Sequence, residues 1–132
     1  NKIKVVAIDD VSDILDLIQY NLEKEGMDVE VFTDGTKAIR HIAETQPSVV
    51  ISDWMMPDPD VIEVCKMLKN HLTTRDIPII MLTCKGDIQD YRMAMEAGAS
   101  DYIAKPVRMD ELVRRIKLLL PDDSLRKAYV GC

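Results

Sequence analysis

The sequence lacks what several protein classes need. Its apolar runs fall far short of the roughly 20 residues that a membrane-crossing helix requires, and no signal peptide stands at its start. It has no internal repeat and no low-complexity segment. Positive charge is in deficit: 17 Lys and Arg face 23 Asp and Glu, and the net charge of −6 argues against a general nucleic-acid surface. Cysteine is sparse. Cys65, Cys84 and Cys132 show no metal-ligand spacing, and an odd number without a secretory signal fits a reducing, cytoplasmic setting. The chain opens at Asn1 without a methionine, as expected of one that is processed or cut from something larger.

What remains is a chain of 132 residues, most simply one domain, long enough to bury a core. It is 47% hydrophobic and 30% charged, a balance that suits a soluble globular protein. Apolar strands and amphipathic helices alternate along it. Residues 3–8 (IKVVAI) read as a strand, and Ser12 as the N-cap of a helix carrying Ile14, Leu15, Ile18 and Leu22. Gly26 ends that helix. Residues 28–32 form a strand, Asp34-Gly35 a turn, and 36–45 a helix stopped by Pro47. SVVIS, helix 60–71, strand 77–83 and helix 87–97 follow, the last ended by Gly98. A short strand at 100–104 and an amphipathic helix at 109–120 close the series. Strict alternation predicts an α/β fold, a doubly wound parallel sheet with helices on both faces. The apolar runs lack period-2 patterning, as strands buried on both sides do.

Two strands end on carboxylates: VVAIDD on Asp9 and Asp10, and VVISDWMMP on Asp53. Thr83 closes the fourth strand and Lys105 follows the fifth. In a doubly wound sheet, ligands bind beyond the carboxyl ends of the strands, so these five polar groups are expected to converge. Carboxylates brought this close repel one another unless a cation joins them. Oxygen-only ligands suit Mg²⁺, which takes a few carboxylates plus a phosphate oxygen, and a lysine and a hydroxyl suit the other phosphate oxygens. A nucleophile, a metal and a cationic clamp are what phosphoryl transfer to a carboxylate needs.

The motifs AIDD, ISDWMMP, IIMLT and GASDYIAKP, in this order and spacing, resemble the receiver domain of bacterial two-component response regulators over residues 3–120. The resemblance implies a flavodoxin-like (βα)5 sheet with strand order 2-1-3-4-5. It implies that Asp53 accepts a phosphoryl group from a sensor histidine kinase or a phosphotransfer protein. It implies Mg²⁺ bound by Asp9, Asp10, Asp53 and the backbone carbonyl of Met55, with Thr83 and Lys105 contacting the phosphoryl group. Tyr102 matches the aromatic that changes rotamer on activation, and the fourth helix, last strand and fifth helix form the face that switches. The Lys105–Pro106 bond is expected to be cis. Such a domain assists its own phosphorylation and dephosphorylation but is no enzyme acting on separate substrates. On this reading residues 1–120 are the receiver domain and 121–132 a linker or frayed tail, and the chain is either a stand-alone receiver or a fragment of a longer regulator with an output domain. Direct contact with nucleic acid or membrane is not expected.

Several residues also admit plainer readings. A lone aspartate at a strand end is usually a turn former or helix cap; three of them, with Thr83 and Lys105 at matching ends, are not accounted for that way. Tyr102 alone would read as a half-buried strand aromatic. His41 and His71 read as solvated, Cys84 as a small packing residue, and the eight methionines mostly as core filler. Departures from the family pattern stand beside these. Asp58-Pro59-Asp60-Val61 replaces the usual Gly-Met-Asp-Gly, which predicts a stiffer loop, and Lys85 adds positive charge beside the site. Asp101, Glu111 and Arg115 fit the charge pairs of a weak or phosphorylation-dependent dimer, whereas Tyr91 and Ser100 replace its usual partners. The alternative function is a degenerate receiver, a phosphorylation-independent interaction module. An aspartyl-phosphate phosphatase would need a second acid where Met55 stands, and a flavin phosphate would be repelled by the acidic DDVSD.

Overall fold

The computed structural model describes residues 2–53, 61–84 and 88–120. The elements run β1 (Lys4–Ile8), α1 (Ser12–Lys24), β2 (Asp28–Phe32), α2 (Gly35–Thr45), β3 (Val49–Asp53), α3 (Val61–Lys69), β4 (Ile79–Thr83), α4 (Ile88–Ala97), β5 (Asp101–Ala104) and α5 (Met109–Leu119). All strand pairs are parallel, in the order β2-β1-β3-β4-β5. This is the flavodoxin-like topology. The strand order reverses between β1 and β3, so α1 and α5 cover one face and α2, α3 and α4 the other.

The two apolar layers follow from the side-chain alternation of each strand. Val6 and Ile8 of β1, Val50 of β3, and Ile79 and Met81 of β4 pack against Ala38, Ile42, Val64, Leu68 and Ala94. Val5, Ala7, Val49, Ile51, Ile80 and Leu82 face Leu15, Ile18, Leu22, Leu112 and Ile116. Both faces of the central strands are covered, which explains their unbroken apolar runs.

Local chemistry sets the element ends. Gly26 and Gly98 take positive φ, 85° and 111°, where a side chain would be strained. Asp34 caps α2, its carboxylate accepting from Thr36 N and Lys37 N at 2.8 and 3.3 Å. Ser12, in contrast, is not the cap of α1. Val11 holds that position without a side-chain bond, and Ser12 is the first helical residue. Helix α3 ends at Lys69, short of residue 71, and Lys69 Nζ donates to the carbonyls of Arg75 and Ile77 in the turn that follows. Cys84 is exposed rather than packed, while Cys65 is buried and its thiol is pushed up to about 12 by burial. His41 is half-buried, its ring 5.1 Å from that of Phe32. Of the methionines, Met27 and Met81 are buried, but Met67 and Met93 are exposed.

Candidate functional site

The register of the sheet builds the site. Ile8 of β1 pairs with Ser52 of β3, so one step further places Asp9 beside Asp53. Asp53 pairs with Leu82 of β4, and Thr83 with Ala104 of β5, so Thr83 and Lys105 occupy the next rungs. Lys105 N donates to Thr83 O at 2.7 Å, carrying the strand pairing one residue past β5. The expected convergence of side chains at the carboxyl edge of the sheet is thus a consequence of strand register.

Asp9, Asp53 and Thr83 are buried, and Asp10 is exposed at the rim. Lys105 reaches in from β5, its Nζ 2.9 Å from Asp53 Oδ1 and 3.2 Å from Asp9 Oδ2. The other oxygen of Asp9, Oδ1, accepts from Val11 N at 2.9 Å. That bond fixes the carboxylate and the start of α1 together. One carboxylate oxygen each from Asp9, Asp10 and Asp53 lies within 4.8 Å of the others.

The electrostatics are out of balance. Burial, the largest influence, pushes the Asp9 carboxyl above its ordinary 3.8; the Val11 amide opposes this, the Asp53 charge adds to it, and Lys105 opposes it. Burial would lower the Lys105 ammonium, but its bonds to Asp53 and Asp9 outweigh that and hold it above its ordinary 10.5. Among the described residues, three carboxylates thus face one ammonium. A hard divalent cation fits this set: the donors are all oxygen, two of the carboxylates are already stripped of water, and excess negative charge is present to hold it. Asp9, Asp10 and Asp53 are the residues that could bind it. Met55, whose carbonyl was expected to join them, lies outside the described residues, as do Lys85 and the loop 58–60. The Lys105–Pro106 bond is cis, as expected. A groove of about 680 Å³ between Ile3, Pro47, Pro78 and Leu120 opens at the opposite edge of the sheet.

Two features near Tyr102 were not visible in the sequence. Arg115 pairs with both Asp101 (2.6 Å) and Glu111 (2.7 Å) within one chain, so these charges satisfy each other locally. Tyr91, which stood out only as a replacement for a basic residue, sets its ring edge-on to Tyr102, with centroids 5.8 Å apart and planes at 77°. No local pattern links a residue of α4 with one of β5 eleven positions on, so only the fold reveals that contact.

Comparisons with known proteins agree with this geometry. The sequence pattern of the response regulator receiver domain matches residues 5–117. The DNA-binding dual master transcriptional regulator RpaA of Synechocystis sp. is 38% identical over 117 residues, which cover 89% of this chain and 48% of RpaA. This chain therefore spans about half the length of that relative. Among solved structures, chemotaxis protein CheY4 of Vibrio cholerae superimposes with a TM-score of 0.86 at 27% identity, covering 91% of this chain and 100% of that one. The BeF3-activated N-terminal receiver domain of Klebsiella pneumoniae RstA gives a TM-score of 0.81 at 33% identity, covering 90% and 99%.

Proposed function

Since the chain belongs to the response regulator receiver family of two-component signalling, we propose that Asp53 is its phosphoacceptor. The observation that carries this reading is the cluster itself: Asp9, Asp10 and Asp53 within 4.8 Å of one another, with Lys105 on Asp53 at 2.9 Å. A carboxylate oxygen of Asp53 attacks the phosphorus of a phosphohistidine on a sensor kinase or phosphotransfer protein. An O–P bond forms, the P–N bond breaks, and the imidazole leaves with its electron pair. Asp9, Asp10 and Asp53, with the carbonyl of Met55, would hold Mg²⁺, which when bound neutralises charge on the transferring phosphoryl oxygens. Lys105, already seated between the two buried carboxylates, moves only slightly to pair with a phosphoryl oxygen. Thr83, buried at the end of β4, offers its hydroxyl to another. Tyr102 on β5 then responds, and the α4–β5–α5 face changes for the next partner.

The domain assists its own phosphorylation and hydrolysis and does not turn over separate substrates. We assign residues 1–120 to the receiver and 121–132 to a linker or tail; an output domain would belong to a longer chain of the kind that the DNA-binding relative is. Among the described residues no helix is long and apolar enough to cross a membrane, and a cytoplasmic setting suits a kinase-fed domain. A dimer through the α4–β5–α5 face, if phosphorylation promotes one, rests on charges that the free chain already pairs internally.

Intact-mass measurement after incubation with a small phosphodonor tests the proposal. A gain of one phosphoryl group that needs Mg²⁺ and vanishes in Asp53→Asn is expected. An unchanged phosphorylated fraction in that variant, or full modification in EDTA, contradicts it. No modification at all supports the phosphorylation-independent module instead.

A further inference from the structure

Tyr91 lies on α4, 46% exposed, and its ring meets the ring of Tyr102 edge-on at 5.8 Å. The main chain of Tyr102 is pinned from the other side. Asp101 Oδ1 accepts from Tyr102 N at 2.8 Å, and the same carboxylate is held by Arg115 Nη1 at 2.6 Å. Arg115 is fixed in turn by Glu111 at 2.7 Å. Beside this backbone bond, the Tyr102 ring rests on Tyr91. In this arrangement Asp53 Oδ1 takes the Lys105 ammonium directly.

We propose that Tyr91 is a positioning residue of the switch: its edge-to-face contact holds the Tyr102 ring in the place it occupies while Asp53 is unmodified. The proposal rests on the phosphoacceptor reading above. Phosphorylation at Asp53 draws the Tyr102 ring toward Thr83, and the contact with Tyr91 is given up. The cost of losing it sets how readily the domain activates, and by linkage any group that favours the activated state binds more tightly once the contact is removed. The freed face of Tyr91 also becomes the first part of α4 to report the change. A basic side chain here could pair with an acid across a dimer, whereas a tyrosine ties α4 to β5 within one chain.

The experiment compares the wild-type chain with Tyr91→Ala and Tyr91→Phe. Two readouts are taken: the ¹³C-labelled ring signals of Tyr102 without added ligand, and the affinity for beryllofluoride with Mg²⁺, a tetrahedral mimic of the phosphoryl group. An edge-to-face pair corresponds to roughly a two- to tenfold factor. Tyr91→Ala is therefore expected to shift the Tyr102 ring signals and to tighten beryllofluoride binding by about that factor, and Tyr91→Phe, which keeps the ring, to restore wild-type behaviour in both. Unshifted ring signals, or equal or weaker binding in Tyr91→Ala, overturn the positioning role while wild-type binding leaves the phosphoacceptor reading standing. A shift and a tightening in Tyr91→Phe equal to those in Tyr91→Ala overturn it too, since the ring would not be the cause. Wild-type protein that binds no beryllofluoride refutes the phosphoacceptor reading and the coupling with it, even where the ring signals shift.

Discussion

Lys105 Nζ lies 2.9 Å from Asp53 Oδ1 and 3.2 Å from Asp9 Oδ2, so one ammonium bridges carboxylates at the ends of two neighbouring strands. Its side chain is only 14% exposed, and both partners are buried. Removing the ammonium leaves two buried carboxylates uncompensated, at about 3 kcal/mol or more. We predict that Lys105→Met lowers stability by about 2–4 kcal/mol in metal-free buffer. The cost should shrink when Asp9→Asn is added, because less like charge is then left facing itself. Urea denaturation of the two single variants and the double variant checks this; additive costs would show that the bridge is not what Lys105 contributes.

Asp9 gives a prediction of opposite sign. Burial raises its carboxyl in the folded state above the ordinary 3.8, so between the two values the folded chain binds more protons than the unfolded one. Stability without metal therefore falls as pH rises from about 3.8 through the folded value, and at neutral pH the ionised Asp9 is a net burden. Asp9→Asn keeps an oxygen for Val11 N and removes the charge. It should raise the melting temperature in EDTA by roughly 3–6 °C, about 1 kcal/mol. Wild-type protein should gain stability with Mg²⁺ by mass action, and Asp9→Asn should gain much less. Thermal melts with and without Mg²⁺ decide it: a less stable variant in EDTA, or one with the full Mg²⁺ gain, contradicts the charge account.

The sheet and its polar edge were legible because each depends on local pattern. Unbroken apolar runs ended by Asp9, Asp53 and Thr83 fix both the strand and the place where it leaves the core, and register does the rest. What the sequence hid depends on side chains that turn back or reach across. Ser12 has the chemistry of a cap, yet Asp9 takes the Val11 amide and the helix begins at Ser12 itself, one residue earlier than a Ser12 cap implies. Helix α3 stops early at Lys69, whose ammonium serves carbonyls six and eight residues on. Asp101, Glu111 and Arg115 suggested pairs between chains, and their closure within one chain requires β5 and α5 to lie side by side.

That closure is itself testable. Glu111 is held below its ordinary 4.5 chiefly by Arg114, then by Arg115. A depressed folded value means that its contribution is present above 4.5 and is lost as pH falls through the lower value. In an NMR titration of the side-chain carboxyl, the midpoint should lie below 4.5 and rise toward it in Arg114→Ala more than in Arg115→Ala. No rise in either variant would show the pairs to be unformed in solution.

We predict that the lifetime of the phosphorylated state depends on Met55, two residues after the proposed acceptor in sequence and outside the described residues. A thioether holds a hydrolytic water poorly, whereas an amide can position it, an effect on the order of 10²-fold. Met55→Asn should therefore lose phosphate faster than the parent, followed on purified phosphorylated protein. An equal or slower rate would mean that Met55 does not protect the acyl phosphate, and that long-lived signalling is no property of this site.

The central claim is that one carboxylate among three, Asp53, forms the covalent bond. Reductive trapping with borohydride converts an aspartyl phosphate to homoserine, and peptide mass spectrometry then locates it. After treatment with a small phosphodonor in Mg²⁺, the account predicts homoserine at position 53, with Asp9 and Asp10 intact. Homoserine at position 9 or 10, or its persistence elsewhere when Asp53→Asn is treated identically, would contradict it.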